Sequence, residues 1–253
     1  MEALGDGFTV IYDATNLNSR KRKALVGAVK AKHPDVECHC WLVLCSITGC
    51  KKRNTERTRH VPDEVIDRMV RQFQVPYWNE GWNRIELIDN GPKQDIDREH
   101  TRLMSIAHDN PHHTTSNIGA HCTKCLGAMT NLLEELGIES AQTHPLAEVA
   151  YQHDIGKRRC KTFTNTKGET SGIAHYYNHE KVGAYLWLTG DCRDQWDDNS
   201  VLTIGLLIQL HMMPYAFPNR SKEELDKWCA KRGYDQLITE WVWMVHKADE
   251  LAH

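Results

Sequence analysis

No stretch of this chain is apolar for long enough to cross a bilayer. The longest candidate, "VLTIGLLIQLHMMPY", is interrupted by Gln209 and His211. The first residues, "MEALGDGFTV", show no basic segment followed by an apolar core, so a secretory leader is not expected. Neither sign of charge is in excess: the formal net charge is -3 with the 15 histidines taken as neutral. That excludes a sequence-nonspecific nucleic-acid coat and confines any nucleic-acid contact to a local patch. Cysteine is present but odd in number, nine residues, and scattered, which argues against a disulfide framework and for reduced thiols in the cytoplasm. The one CxxC pair, Cys122 and Cys125, has no second pair to complete a zinc site, and a helix would place both on one face.

What is present divides into two parts. "FTVIYD", residues 8–13, reads as a short buried strand ending in a carboxylate, and "NSRKRKALVGAVKAKH" as a helix with a basic outer face. "VECHCWLVLCSI" is a second strand. After the basic stretch "KKRNTERTRH", the run "VPDEVIDRMVRQFQ" reads as a helix with Pro62 in its first turn, and "EGWNRIELID" as a third strand. This alternation predicts a small parallel α/β unit over residues 1–92. "DNGPKQD" then marks a turn or linker, and beyond it, over residues 93–253, every long segment has a helical period. The expected fold is mainly α, an all-helical bundle preceded by the small α/β segment.

Histidine is the unusual count. His121, His153 with Asp154, His179, His211 and Asp249 fall on five successive helical segments, about 25 to 40 residues apart, the length of a helix and its connection. A bundle interior has few uses for so many polar side chains, each of which must find a partner or cost a few kcal/mol. Any one of them alone reads as an ordinary hydrogen-bonded histidine; the ordered set points to a metal.

The pieces "GAHCTKC", "HDIGK", "HYYNHEKVGAY", "LIQLHMMPY" and "VHKADELAH", in that order, make residues 112–253 resemble the HD-domain metal phosphohydrolases. That resemblance implies one divalent ion on His121, His153, Asp154 and Asp249, and a second on His179 and His211 with Asp154 bridging. It implies Asp154 and Lys157 as the catalytic groups, Lys157 meeting a substrate phosphate where the residues alone allow a solvated helix-end lysine. His175, four residues before His179, is read as a helix neighbour that contacts substrate or supports the ligands. His112 and His113 are read as rim groups that protonate a leaving group, or as an exposed loop pair. Imidazole and carboxylate ligands together suit manganese, iron, nickel or zinc, with magnesium also admissible.

"VIYDATNLNSRKR", "KKRNTERTRHVPDEVIDRM" and "EGWNRIELI" are similar to the later part of phage-type polynucleotide kinases, which are P-loop enzymes. The resemblance implies that Arg53 and Arg57 are lid arginines touching the transferring phosphate; without it they are a solvated basic turn. The nucleotide cradle of such enzymes, GxxxxGK[ST], is not found in the chain. ATP-dependent kinase activity is therefore not expected from this chain alone. Either a P-loop-containing polypeptide completes the kinase half, from upstream or from another chain, or the segment is a remnant kept as a docking surface. The function expected from both resemblances is metal-dependent removal of a 3′-phosphate or 2′,3′-cyclic phosphate from nucleotide or RNA ends, as in RNA repair. Two alternatives stay open: hydrolysis of free mono- or cyclic nucleotides, and a non-catalytic nucleotide-binding or partner-completing protein.

Overall fold

The structure, a computed structural model, describes residues 2–111 and 114–253. It is mainly helical with two small sheets. After a short α1 (Glu2–Gly5), α2 (Ser19–Lys32) begins where the Asn18 side chain accepts the Lys21 N–H, one of the four N–H groups a helix start leaves unpaired. β1 (His39–Leu44) and β2 (Arg84–Asp89) pair in parallel, His39 opposite Arg84 through to Leu44 opposite Asp89. Between them lie α3 (Ile47–Thr55), capped by Ser46, and α4 (Asp63–Gln72), which starts after Pro62 rather than including it.

Two expectations for this segment are corrected. "FTVIYD" forms no strand: among the described residues, the backbone of residues 9–15 makes no hydrogen bond, because an isolated apolar run has no ladder without a neighbouring strand. Half of the basic stretch is also helix, α3, where a turn is expected from composition.

α5 (Ile96–Leu103) leads to α6 (Ile118–Glu135), α7 (Pro145–Gln152), α8 (Lys157–Cys160), α9 (His179–Leu188), α10 (Asp198–Leu210), α11 (Lys222–Arg232) and α12 (Gln236–Leu251). This part is not all-helical: β3 (Thr162–Thr164) and β4 (Thr170–His175) form an antiparallel hairpin between α8 and α9. Its "NTKG" turn, with Gly168 at φ +85°, carries the turn signal. Among the described residues no helix is long and apolar enough to cross a membrane.

One hydrophobic cluster runs through both parts, joining Leu44, Phe73, Val75 and Ile85 to Trp187, Leu202 and Val242. Polar bonds cross the same junction. Val75 N–H donates to Gln209 Oε1 at 2.7 Å, and Tyr185 Oη donates to the Cys45 carbonyl at 2.7 Å. Within the front part, the buried Arg22 guanidinium grips the buried Glu80 carboxylate at 2.6 and 2.8 Å and donates to the Asn16 carbonyl, tying the loop before α2 to the turn before β2.

Candidate functional site

The ligand-type side chains sit where helices begin or end. His121 is in the first turn of α6 and His179 is the first residue of α9; His153 and His211 directly follow α7 and α10; Asp249 is near the end of α12. One glycine sets the spacing. A Cβ built on Gly156 would stand 2.1 Å from the His179 carbonyl oxygen and 2.6 Å from the Gly183 nitrogen, so only glycine lets the Asp154 turn close on α9. Below it, the buried Glu99 accepts from Arg158 (2.7 Å) and Arg159 (2.9 Å), clamping α5 onto α8.

Two groups of three donors result, His121, His153 and Asp249, and Asp154, His179 and His211, all six residues buried. In the first, the Nε2 atoms of His121 and His153 are 3.3 Å apart, and Asp249 Oδ1 lies 2.9 Å from the one and 3.6 Å from the other. In the second, the Nε2 atoms of His179 and His211 are 3.2 Å apart, with Asp154 Oδ1 at 3.2 and 3.9 Å. Asp154 faces both groups, since its Oδ2 is 3.4 Å from His153 Nε2 and 3.6 Å from His121 Nε2.

These residues fit divalent cations. The Nδ1 atoms of His153, His179 and His211 each face a backbone carbonyl three residues back, at 2.8, 2.8 and 2.7 Å. A carbonyl accepts only, so each Nδ1 carries the proton and each neutral ring turns the Nε2 lone pair inward. Lone pairs facing each other repel. A shared proton would serve two nitrogens, whereas a cation serves all three donors. Ligands about 2.0 to 2.2 Å from an ion stand about 3.0 to 3.6 Å from one another, close to the spacings found.

The electrostatics agree. Burial pushes the Asp154 carboxyl up, but Lys157 and His153 outweigh it and hold the group well below the usual carboxylate range. Asp249 is likewise raised by burial and more strongly lowered by its contacts with His121 and His153. Burial lowers His153, yet Asp154 and its neighbours leave it well above the ordinary histidine value. A cation there would compete with a proton for His153 Nε2, because an imidazole ligates only as the neutral ring. His211 is pushed down to about 3 by burial and by His179.

Lys157 begins a new short helix and sits 2.6 Å from Asp154 Oδ2, over the Tyr176 ring. His175 does not share a helix with His179. It ends β4, and Asn178 at φ +63° turns the chain before α9 begins, leaving the His175 ring stacked on Tyr177. His112 and His113 lie outside the described residues. Arg53 is in the last turn of α3 and Arg57 in the exposed turn that follows. Cys122 and Cys125 are buried on α6.

Sequence reasoning missed Tyr215, whose hydroxyl donates to Asp249 Oδ2 at 2.9 Å, although its place four residues after His211 was a signal. It also missed His108, buried with its ring centroid 5.6 Å from that of His121 and lowered to about 4 by burial and Lys157. No motif surrounds that histidine.

Residues 1–76 match the family model of an AAA domain. A 106-residue stretch, 42% of this chain, is 30% identical to the L-seryl-tRNA(Sec) kinase of Methanococcus maripaludis and spans 41% of that protein's length. These findings correct the family and the activity expected from the sequence. The similarity found is to a P-loop, kinase-like domain and to a kinase, so assignment to the HD phosphohydrolases is withdrawn. With it go phosphate removal from 3′-phosphate or cyclic ends, hydrolysis of free nucleotides, and the non-catalytic alternative; the relative found is a kinase. Residues 1–76 match that model although the string GxxxxGK[ST] is not found among the residues of the chain. The physical reason for the error is that ordered metal ligands specify coordination, and coordination does not specify which nucleophile takes the phosphate.

Proposed function

We propose that residues 1–92 act in phosphoryl transfer from a nucleoside triphosphate to a hydroxyl group carried on RNA. The observation that carries this is the AAA-domain match over residues 1–76, which contains both Arg53 and Arg57. The seryl-tRNA(Sec) kinase relative supports RNA as the carrier of the acceptor. Arg53 and Arg57 are the lid residues that meet the charge on the transferring group, a role in which a guanidinium is worth a large rate factor because that charge spreads over three oxygens. A P-loop-containing polypeptide, joined upstream or separate, completes the nucleotide-phosphate cradle.

Residues 93–253 form the second unit of the proposal, which holds two divalent ions on His121, His153, Asp249 and on Asp154, His179, His211. Manganese, iron, nickel and zinc suit the donors, and magnesium is admissible. Ions paired in this way polarise phosphoryl oxygens and bound water. Lys157 meets a phosphate once Asp154 is engaged by cations, a role its position 2.6 Å from Asp154 Oδ2 supports.

The test is transfer of label from γ-labelled ATP to RNA with free hydroxyl ends. The full chain is supplied with a synthetic polypeptide carrying an apolar strand, a GxxxxGK[ST] turn and a helix. Transfer that falls about 1,000-fold or more in Arg53→Ala or Arg57→Ala supports the reading. Label that stays on ATP, or transfer indifferent to both arginines, overturns it.

A further inference from the structure

One face of α12 carries Trp243, His246, Lys247, Glu250 and Leu251, spaced three and four residues apart and so neighbours on the helix surface. Together with Leu132 of α6 and Arg220 they line an open pocket of about 390 Å³. Small molecules bind in pockets of about 300 to 1,000 Å³, so this one has room for a single small ligand.

His246 is the group that sets the pocket apart from a solvated helix face. It is 4% exposed, yet its Nδ1 has no hydrogen-bond partner among the described residues. A buried polar atom left so is costly, and a ligand that bonds to it removes the cost. Burial lowers His246 below the ordinary histidine value, although Glu250 and Asp249 pull the other way, so the ring is neutral and offers one N–H and one lone pair. Its centroid lies 5.1 Å from that of Trp243 and 4.6 Å from that of Tyr215. Trp243, Leu132 and Leu251 thus supply flat or apolar wall, and His246 supplies a polar ring atom.

The charges complete the description. Arg220 Nη1 stands 3.6 Å from Glu250 Oε1, whereas Lys247 makes no ion pair among the described residues. Two cations against one carboxylate leave a single positive charge at the rim, a match for one phosphate group.

We propose that this pocket binds one nucleotide unit, its base against Trp243 and hydrogen-bonded to His246 Nδ1, its phosphate on Lys247 and Arg220. A base has both a face for stacking and an edge for hydrogen bonding, and it carries its phosphate at one end, so one ligand meets all three kinds of group. The unit is a free mononucleotide or an unpaired nucleotide of a strand. Only the second source rests on the phosphoryl-transfer reading above, where the pocket would hold the RNA that carries the acceptor hydroxyl. The place suits that task, because Tyr215, which touches His246, also donates to Asp249 Oδ2 at 2.9 Å.

The experiment is equilibrium dialysis of the full chain in EDTA, which keeps the ion cluster from acting as a phosphate site. The probes are AMP, adenosine, inorganic phosphate and a short single-stranded RNA. AMP should bind once per chain and more tightly than adenosine or phosphate. Trp243→Leu should weaken it about tenfold, and His246→Phe, which keeps a ring beside Tyr215, about fivefold. An azido-AMP photolabel on the parent should map to residues 243–251 and be displaced by AMP, which decides the matter if either variant melts below the parent. No binding of AMP, phosphate bound as tightly as AMP, or label placed elsewhere overturns the proposal. So does binding indifferent to both variants. RNA bound more tightly than AMP identifies the strand as the source, and AMP bound as tightly as RNA identifies the free nucleotide. AMP held in this pocket without transfer of label from ATP to RNA leaves the site intact and removes the phosphoryl-transfer reading, so the two failures are distinguishable.

Discussion

Asp154 offers one oxygen to each group of donors, and Asp249 serves only one group, so the two carboxylates should differ in how much metal they command. Asp249→Asn should leave one ion per chain and Asp154→Asn none. The size follows from linkage. An ion at 100 times its dissociation constant stabilises the folded state by about 2.7 kcal/mol, so two independent sites give about 5.4 kcal/mol. For a chain of this size, 1 kcal/mol moves the melting temperature by about 2 to 4 °C, so saturating manganese should raise it by about 11 to 22 °C in the parent. In Asp249→Asn the rise should be about half as large, and in Asp154→Asn it should vanish. Lys157, buried against Asp154 at 2.6 Å, loses its carboxylate in Asp154→Asn and lowers the metal-free baseline. The comparison is therefore between shifts, in thermal melts with manganese or with EDTA, beside elemental analysis. Asp154→Asn that keeps half the rise, or Asp249→Asn that loses all of it, would refute the shared-carboxylate argument.

Gly156→Ala should cost about 1 to 3 kcal/mol by overpacking, and, because the clash falls on the His179 carbonyl, reduce metal content toward one ion per chain; two ions retained would show that the turn relaxes freely. Arg22→Ala strands the buried Glu80 and should lower stability by about 3 to 5 kcal/mol, read as a shift in the urea midpoint. Acid should also weaken the metal-free fold. His100 and His108 are both lowered by burial, so below 6.5 the unfolded chain binds protons that the folded chain refuses, and stability is lost progressively as pH falls toward the His108 value of about 4. Melts in EDTA across that range should slope less steeply in a His100→Gln, His108→Gln double variant; an unchanged slope would assign the acid sensitivity to other groups.

The helices of the second part were legible because their apolar residues recur every three or four positions. The six ligand-type residues stood out because they fall in a fixed order on five helical segments, His153 and Asp154 sharing one. His175 was misplaced because the same spacing suits a helix and a strand end followed by a left-handed residue, and nothing in "HYYNH" marks Asn178 as that residue. "FTVIYD" reads as a strand on its own composition, yet a strand is a relation between two segments, and among the described residues no segment pairs with it. The Arg22 to Glu80 ion pair, across 58 residues, and the Glu99 clamp on Arg158 and Arg159 leave no local pattern at all. The activity was misread for a different reason: an ordered set of ligand-type residues reports what can be coordinated, whereas the similarity to a kinase rests on other residues of the chain.

Gln209 interrupts the most apolar helix of the chain, and its side chain satisfies the Val75 N–H. Val75 is two residues from Phe73 in the front segment, and Gln209 is two residues from His211 in the second group of donors. The small α/β segment and the donor groups are thus linked through a short run of backbone and one side-chain amide. A single polar interruption in an apolar helix thus ties the backbone of the front segment to the helix that leads into His211.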